Sequence, residues 1–370
     1  MIWIDIALCA LWLYILALRL SWGRDFRVTR PPGFPGQTGH RISVAAVMPA
    51  RDEAEVVSRS LESLAGQQFA GLFRIVVVDD NSCDATAAIA SRYATVVRGT
   101  PLPEGWTGKL WAVSQGVAQA GTPDYYLLTD ADIVHAPNNL EGLVARAARG
   151  NYDLASYMVT LRCESWAERA FIPAFVFFFF LLYPPAAIRN PRRRTAGAAG
   201  GCILIRREML QRIGGIAAIR GELIDDCALA HAVKRAGGRV WLGLTRSAES
   251  IREYGTWRDV AHMISRTAFT QLNYSAFVLA GTIVGLAFVY LLPPALALTG
   301  NGFGATAWLM MTLAYLPAVR FYRRKWMWAL LLPAIAAFYM GCTVASAIQY
   351  WRGSGGNWKG RAQAARSVTS

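Results

Sequence analysis

The chain has 370 residues, 54% of them hydrophobic, and this composition argues against a purely soluble protein and for one globular domain with membrane segments. Its formal charge of +14 comes from Lys and Arg residues that cluster at the ends of apolar windows, at 19–30, 189–194 and 320–325. Because these charges do not follow one polar helix, nucleic acid is not the expected partner. Anionic lipid headgroups on the cytoplasmic side are favoured.

The first apolar window, residues 2–18, predicts an uncleaved membrane anchor at residues 1–20. The window continues past the length of a signal-peptide core, and no small-residue cleavage pattern follows it. Four basic residues do follow it: Arg19, Arg24, Arg27 and Arg30. The positive-inside rule therefore places the chain after the anchor in the cytoplasm.

Three further apolar windows lie near the C-terminus, at 276–298, 304–319 and 326–349. The first and last meet the length of about 20 residues that a spanning helix needs, and the middle one is marginal. We expect about three transmembrane helices within 275–350 and a basic tail at 351–370. Three spans would leave the basic tail outside, against the positive-inside rule, so the number of spans and the side of the tail stay open.

Cysteine and histidine spacing favours neither disulfides nor a zinc site. The six cysteines show no CxxC or paired spacing, which fits a reducing compartment. No Ser-His-Asp or Cys-His arrangement is present, and each histidine is interpreted as structural: His40, His135, His231 and His262.

Residues 40–274 form the predicted cytoplasmic domain, in which short apolar runs alternate with helical patterns, as in a mostly parallel α/β sheet. The strand candidates are 44–49, 74–80, 94–99, 125–132 and 153–159. The helix candidates are 53–65, 84–93, 109–119 and 138–149, with Asp84 as an N-cap and Pro137 in a first turn. Ligands of such sheets bind beyond the carboxyl ends of the strands.

Two pairs of acids follow predicted strands: Asp79 with Asp80, and Asp130 with Asp132. In the second pair, two carboxylates two positions apart in an extended segment point to the same side. Their hard oxygens suit Mg²⁺ or Mn²⁺ and leave coordination positions for a diphosphate, although a capping or turn role would explain the same acids. The first pair can present a carboxylate to a nucleobase NH or a ribose hydroxyl.

A later pair of acids, Asp225 and Asp226, lies in the first turn of a helix predicted to begin near Ile224. The helix dipole favours an acid there whatever the function. The functional alternative makes Asp226 a general base that removes a proton from an attacking hydroxyl. The sequence has neither GxGxxG nor GxxxxGK[ST], so phosphate charge would have to be met by a metal and by Lys or Arg.

Five motifs occur in a characteristic order: MPARDEA, VVVDDNSCDAT, WTGKLWA, LLTDADI and IDDCAL. Their order and separations resemble the family 2 glycosyltransferases of GT-A fold, and more closely the branch that contains ceramide glucosyltransferase. The whole chain is similar to the bacterial hopene-associated glycosyltransferases, through its anchor, its FFFFLLYPP run, its SRTAFTQL segment, its C-terminal spans and its NWKGR tail.

The resemblance implies a metal-dependent, inverting hexosyltransferase that moves a sugar from a nucleotide donor, with a UDP-sugar favoured, to a lipid hydroxyl. It also implies a multi-pass protein of the bacterial inner membrane that uses Mg²⁺ or Mn²⁺, and it leaves the sugar, the lipid and the oligomeric state open. Hopanoid, sphingolipid, carotenoid and diacylglycerol acceptors all fit.

The resemblance also implies roles for individual residues. The nucleoside pocket would be bordered by Pro49, Ala50, Arg51 and Glu53. The base and the ribose would be contacted by Asp79 and Asp80. Lys109 would lie near the donor, Asp130 and Asp132 would hold the metal and the diphosphate, and Asp226 would be the base.

Two departures from the family pattern stand out. The pair Asp225-Asp226 replaces Glu-Asp, which keeps a carboxylate base but changes its reach by a methylene. The family's (Gln/Arg)-x-x-Arg-Trp motif corresponds to residues 262–267, which keep Arg266 but lack the Trp. Arg266 remains a candidate partner for the departing diphosphate, because that group gains charge as the glycosidic bond breaks.

Three other functions share some of these features. A polyprenyl-phosphate sugar synthase uses an acceptor that is already ionised and needs no base. A polysaccharide synthase would need more spans and the intact Arg-Trp motif. A transporter or a membrane scaffold with an inactive sugar-nucleotide domain is disfavoured, because few charged residues lie inside the C-terminal spans and every acid that the chemistry requires is present.

The apolar run at residues 171–188 contains no charge. If it crossed the bilayer once, Asp132 before it and Asp226 after it would face opposite compartments. We therefore expect an interfacial or shallow re-entrant segment, bounded by Pro173 and Pro184, that admits the lipid acceptor. A buried core helix is the alternative. The predicted acceptor or membrane contacts are Phe177, Phe178, Phe179, Phe180 and Tyr183.

Overall fold

The computed structural model describes residues 2–22, 41–353, 357–358 and 361–362. The chain forms two compact units. Among these residues, a sheet unit comprises 41–161, 183–252, 357–358 and 361–362, and a helical unit comprises 2–22, 162–182 and 253–353. Several predicted features lie outside the described residues: Arg24, Arg27, Arg30, His40 and most of the basic tail.

The strands, in chain order, are β1 (Ser43–Ala50), β2 (Leu72–Asp79), β3 (Thr95–Arg98), β4 (Tyr125–Leu128), β5 (Ile133–His135), β6 (Leu154–Leu161), β7 (Ile203–Arg206), β8 (Val240–Ser250), β9 (Asn357–Trp358) and β10 (Arg361–Ala362).

The helices, in chain order, are α1 (Ile2–Trp22), α2 (Val57–Ala65), α3 (Thr86–Ala90), α4 (Gly108–Gln119), α5 (Asn139–Gly150), α6 (Trp166–Leu182), α7 (Pro185–Arg189), α8 (Arg207–Arg212), α9 (Asp225–Arg235), α10 (Trp257–Ala268), α11 (Ala276–Leu286), α12 (Leu292–Leu298), α13 (Gly302–Phe321) and α14 (Leu332–Trp351). Short 3-10 turns at Ile216–Ile219, Thr270–Leu272 and Trp326–Leu331 and a π-helical turn at Ala287–Leu291 complete the helical segments.

The large sheet has the strand order β3-β2-β1-β4-β7-β6-β8-β5. The pairs β3/β2, β2/β1, β1/β4 and β6/β8 are parallel, and β7 and β5 run antiparallel to their neighbours. The predicted mostly parallel α/β sheet is therefore confirmed. The strand predicted at 125–132 is shorter than expected, because it ends at Leu128 and a turn carries the following acids.

The local helix signals were correct in one place and wrong in two. Asp84 is not the N-cap of α3, because it precedes the N-cap residue Ala85, although its carboxylate accepts a hydrogen bond from the Thr86 N–H at 2.9 Å. The predicted start of α9 near Ile224 is confirmed. Pro137, in contrast, precedes the N-cap residue Asn138 and so lies outside the first turn of α5.

Helix α4 lies close to the sheet because Gly116 has no side chain. A Cβ added at Gly116 would lie 2.5 Å from Val47 Cγ1 on β1 and 2.9 Å from Val78 Cγ2 on β2. The residues of β1 from Val44 to Ala50 are buried, as expected for a parallel strand in the middle of a sheet. This close approach sets the distance between the sheet and the first turn of α4, where Lys109 lies.

In the helical unit, α1 packs on the C-terminal helices through a hydrogen bond to a backbone carbonyl that lacks its helical donor because of a proline. Pro293 has no N–H, so the carbonyl of Val289 lacks its usual helical donor. The indole N–H of Trp12 donates to that carbonyl at 3.0 Å, and Trp12 itself is buried. At the other end of the same packing, Asn301 Nδ2 donates to Asp5 Oδ2 at 3.1 Å.

Glu168 joins two segments of the helical unit. Its carboxylate is fully buried and accepts from the N–H groups of Glu164 at 2.7 Å, Ser165 at 2.8 Å and Tyr254 at 2.8 Å. Arg162 Nη1 pairs with it at 3.2 Å. These bonds hold the start of α6 beside the segment that leads into α10. They also stabilise a charge that would be costly to bury alone.

Four helical stretches in the described residues are long and apolar enough to cross a membrane, which is consistent with membrane association: Trp166–Arg189, Ala276–Leu298, Gly302–Phe321 and Trp326–Trp351. A shorter apolar helix covers Ile2–Leu18.

The apolar run lies mostly on α6. The expectation that Pro173 bounds this helix is wrong, because α6 begins at Trp166 and continues through Pro173. The second boundary is correct, since Pro184 is the N-cap of α7. Within the helical unit Phe177 and Phe180 are buried, and Phe177 packs edge-on against Tyr315. The interfacial placement of the run stays a prediction.

We expect Gly116→Ala to destabilise the protein, because the new methyl group would be forced against Val47 and Val78. Overpacking of this kind costs about 1–3 kcal/mol. The measurement is the Tm of the detergent-solubilised protein. Gly281→Ala is the matched control, since a Cβ at that helical position would meet no atom within 4 Å. Equal Tm changes in both variants would contradict the close-packing argument.

Candidate active site

The predicted acids gather at one edge of the sheet. Because β1, β2, β3 and β4 are parallel, their carboxyl ends lie side by side. Asp79 is the last residue of β2, and Asp130 follows β4 by two positions. The carboxyl edge of the sheet, called the rim below, is therefore the edge at which the sequence predicts a ligand to bind.

One part of this rim is built around Asp80, which is fully buried. Arg51 Nη1 lies 3.6 Å from Asp80 Oδ2 and also donates to the Asp80 carbonyl. Asp79 Oδ1 accepts from the Ser82 N–H at 3.3 Å. A Cβ at Gly99 would come within 3.2 Å of Asp80 Cα and Oδ1, so only glycine fits beside this turn without displacement.

A cavity lies on the other part of the rim. It brings together Asp130, Asp225 and Asp226 with Lys109 and Pro49. The remaining lining is largely apolar and consists of Leu110, Val113, Leu128, Thr129, Gly200, Ile203, Ile216, Ile219 and Leu229. The other predicted donor residues of the sheet unit are not among those that line it: Ala50, Arg51, Glu53, Asp79, Asp80 and Asp132.

Lys109 connects two acids of this cavity. It lies in the first turn of α4, which begins where the Thr107 side chain accepts from the Leu110 N–H. Its Nζ atom is 2.9 Å from Asp130 Oδ1 and 3.1 Å from Asp225 Oδ2. Burial alone would lower the pKa of Lys109, but the carboxylates of Asp130 and Asp225 raise it above its ordinary value, so the side chain stays charged.

Asp226 is oriented by the backbone. Gly200 N–H donates to its Oδ2 at 2.9 Å, and Cys227 N–H donates to its Oδ1 at 2.7 Å. Burial, and secondly the charge of Asp225, raise the pKa of Asp226 to about 6. A carboxylate with a raised pKa is a stronger proton acceptor than an ordinary aspartate and is still ionised at neutral pH. The geometry thus suits Asp226 for general base catalysis.

Asp132 has a separate set of partners. Its Oδ2 accepts from Ser250 Oγ at 2.7 Å and lies 3.4 Å from Arg252 Nε. Arg252 Nη2 in turn contacts both carboxylate oxygens of Glu53, at 2.8 and 2.9 Å. Ser250 and Arg252 were not predicted as site residues, because they follow no recognised sequence motif and reach Asp132 only through the end of β8.

A buried polar network holds the turn between β4 and β5. His135 lies between Asn139, whose Nδ2 faces Nδ1 at 3.0 Å, and Thr129, whose Oγ1 is 3.0 Å from Nε2. Asn139 Oδ1 accepts from Ser247, so its amide donates to Nδ1, and the neutral imidazole carries its proton on Nε2. Burial lowers the pKa of His135 to about 4. The network fixes the residue before Asp130.

The donor set fits a divalent cation in part. Asp130 and Asp132 supply hard oxygen ligands of the kind that Mg²⁺ and Mn²⁺ prefer. No group of three or more His, Cys, Asp or Glu side chains that could hold a metal occurs in the described residues. A bound cation would therefore complete its coordination with oxygens of the donor diphosphate and water.

The remaining predicted residues lie on the helical unit. Arg266 is exposed on α10, and Phe177, Phe178, Phe179 and Phe180 lie on α6. Tyr183 belongs to the sheet unit, where its ring lies against Gly197. Their assigned roles stay predictions.

Part of the chain matches a known protein family. Residues 45–214 match the model of glycosyl transferase family 2. This stretch includes the rim acids up to Asp132 and ends before Asp226 and Arg252. A glycosyl transferase family 2 domain is thus supported over residues 45–214.

The fold is also similar to a solved structure. The mannosyltransferase PcManGT from Pyrobaculum calidifontis, in complex with GDP-Man and Mn²⁺, superimposes with a TM-score of 0.53 and 20% identity over 94% of this chain and 98% of that chain. At this identity the likeness shows the fold, which is the α/β GT-A fold expected from the sequence.

A sequence relative covers a shorter stretch. Uncharacterized protein MJ1222 of Methanocaldococcus jannaschii is 32% identical over 118 residues, which are 31% of this chain. The match spans 46% of the length of that protein.

We expect His135 to make the protein less stable as the pH falls. The unfolded chain binds a proton near pH 6.5 and the folded chain near pH 4, so stability is full above the first value and is lost progressively towards the second. The loss between pH 6.5 and pH 5 is about 2 kcal/mol.

The measurement compares the pH dependence of Tm for the wild type and His135→Gln, which cancels contributions from other groups such as Asp226. The exposed His262→Gln is the control and should keep the wild-type slope. An unchanged slope in His135→Gln would show that His135 takes up its proton equally in both states.

Proposed function

We propose that this protein is an inverting glycosyltransferase that moves a sugar from a nucleotide-sugar donor to a lipid hydroxyl. The observation that carries the proposal is the convergence of Lys109, Asp130, Asp225 and Asp226 in one cavity at the carboxyl edge of a GT-A sheet. Such a transfer needs a cation, here Lys109, and an acid that faces the donor diphosphate, here Asp130. It also needs a carboxylate with a raised pKa as the base, here Asp226.

The donor half of the site uses the two parts of the rim. Asp79, Asp80 and Arg51 receive the nucleoside, since a buried acid beside a guanidinium offers acceptors and donors to a base and a ribose. The diphosphate lies towards Asp130, where Lys109 faces its negative charge. Asp130 and Asp132 would hold a divalent cation, which would supply further positive charge to the leaving group.

The transfer itself needs one displacement. Asp226 accepts the proton of the acceptor hydroxyl, and the acceptor oxygen forms a bond to the anomeric carbon as the bond from that carbon to the diphosphate oxygen breaks. The nucleoside diphosphate leaves with the electron pair of that bond, and the configuration at the anomeric carbon inverts. Arg266 is assigned to the departing diphosphate.

A lipid acceptor is favoured by the four apolar helical stretches. Together with the sequence resemblance, they support a multi-pass protein of the bacterial inner membrane with a cytoplasmic sheet unit. The resemblance favours a UDP-sugar donor and a hopanoid or related glycolipid product. The apolar run with Phe178, Phe179 and Tyr183 is assigned to acceptor entry.

Asp226 also separates this proposal from its nearest rival. A polyprenyl-phosphate sugar synthase has an acceptor that is already ionised, so it gains nothing from a buried carboxylate with a raised pKa. An inactive scaffold would not need the same groups to converge.

We expect Asp226→Asn to lower kcat by about 10²–10⁴-fold, because the amide cannot accept the proton. Binding of the nucleotide sugar should persist, which isothermal titration calorimetry measures beside a radiolabelled transfer assay. The exposed Glu208→Gln is a matched change from carboxylate to amide and should keep full activity. Near-normal transfer by Asp226→Asn would overturn the base assignment.

Activity should also fall as the pH drops through about 6, because protonation of Asp226 removes the base. The pH profile of kcat in purified membranes gives this acidic limb. A rate that stays level down to pH 5 would point to a different base or to an acceptor that is already ionised.

Lipid analysis tests the acceptor. A deletion strain should lack one glycolipid that returns on complementation with the wild type and fails to return with Asp226→Asn. A lipid profile identical in the deletion and complemented strains would contradict a lipid acceptor.

A further inference from the structure

Each acid of the Asp130/Asp132 pair faces a cation that also holds a second carboxylate. Lys109 lies 2.9 Å from Asp130 and 3.1 Å from Asp225. On the other side, Arg252 lies 3.4 Å from Asp132 and contacts both oxygens of Glu53 at 2.8 and 2.9 Å. Each aspartate of the pair therefore has its own cation, and each cation has its own second carboxylate.

The charges of these groups do not balance. The four carboxylates and two cations together carry two more negative than positive charges, on side chains that are only 10% to 34% exposed. An excess of negative charge at low exposure is unfavourable. Asp226 lines the same cavity as Lys109, Asp130 and Asp225 and adds a further negative charge, so one divalent cation would offset most of the excess.

The distances also show which contact each cation can give up. Arg252 makes two short contacts with Glu53 and one longer contact with Asp132. If Arg252 moves away from Asp132, it therefore loses only its weaker interaction. Lys109 contacts its two carboxylates at similar distances and stays paired with Asp225 if it leaves Asp130. Neither cation would be left buried without a partner.

We propose that Arg252 and Lys109 are built-in counter-ions of the Asp130/Asp132 pair, and that Glu53 and Asp225 are positioning residues that hold them when a divalent cation binds. The inference rests on the metal role in the proposed function. In the metal-free protein each cation pairs with one of the two aspartates. On metal binding they withdraw to their second carboxylates and free the oxygens of Asp130 and Asp132.

The test is a double-mutant cycle on Mn²⁺ affinity. Glu53→Gln removes the holder, so Arg252 competes more strongly for Asp132, and Mn²⁺ should bind about 10-fold more weakly. Arg252→Gln removes the competitor and should tighten binding. In the Arg252→Gln background, Glu53→Gln should then change the affinity less than about 2-fold, because Glu53 acts through Arg252.

The measurement uses the purified full-length protein without donor, and the EPR signal of free Mn²⁺ gives the bound fraction. Glu55→Gln removes an exposed carboxylate two positions away and is the control for long-range charge; it should leave the affinity unchanged. Equal weakening by Glu53→Gln in both backgrounds would overturn the inference, since Glu53 would then act by its own charge or as a ligand.

Glu53→Asp separates geometry from charge and is available if Arg252→Gln does not fold. It keeps the charge but draws the carboxylate back by one methylene, so the holder fails and Mn²⁺ should again bind more weakly. Wild-type affinity in Glu53→Asp would contradict the inference. The corresponding cycle with Asp225→Asn and Lys109→Met should show the same non-additivity, and additive effects there would overturn the Lys109 half.

The experiments distinguish failure of the counter-ion inference from failure of the proposed function. If the wild type binds no Mn²⁺, the counter-ion inference is wrong. Sugar transfer that persists in excess EDTA would then show that the proposed transfer does not depend on a metal, whereas loss of transfer in the wild type under every condition would overturn the proposed function itself.

Discussion

The site depends on one interaction, the bridge that Lys109 makes between Asp130 and Asp225. Asp130 follows a strand of the sheet, and Asp225 begins a helix nearly a hundred residues later. Two carboxylates in a cavity of low exposure repel each other, and the ammonium group between them converts that repulsion into two ion pairs. The bridge sets where Asp226 lies, because Asp226 follows Asp225 on the same helix.

The backbone supports this bridge from both sides. Gly116 lets α4 approach the sheet closely enough for Lys109 to reach the strand edge. The Gly200 N–H binds Asp226 Oδ2 and orients the carboxylate. Behind the turn, neutral His135 fixes the position of Thr129 and hence of Asp130. The acids are therefore held by groups whose own positions are set by packing and by hydrogen bonds to neighbouring residues.

In the helical unit, polar groups that lie among apolar helices need hydrogen-bond partners. Pro293 leaves the carbonyl of Val289 without its helical donor, and the indole of Trp12 supplies one from the first helix of the chain. The buried Glu168 collects three backbone N–H groups and a guanidinium. These bonds join α1 to the segment before α12, and the start of α6 to the segment before α10, which suits a membrane setting for the proposed lipid acceptor.

The sequence by itself determined the α/β fold and the rim of acids, because both follow from local patterns. Apolar runs that end in acids, and a helix that starts with Asp225 and Asp226, place carboxylates at the carboxyl edge of parallel strands wherever the strands pair. The short strands β5 and β7, which run antiparallel to their neighbours, and the long β8, which lies between β6 and β5, were not predicted, since no clear alternation with helices marks them. Only the tertiary structure decided which cation meets which acid. Arg252 lies 199 residues from Glu53 along the chain, and a contact between such distant residues depends on how the whole sheet closes, which no local pattern records.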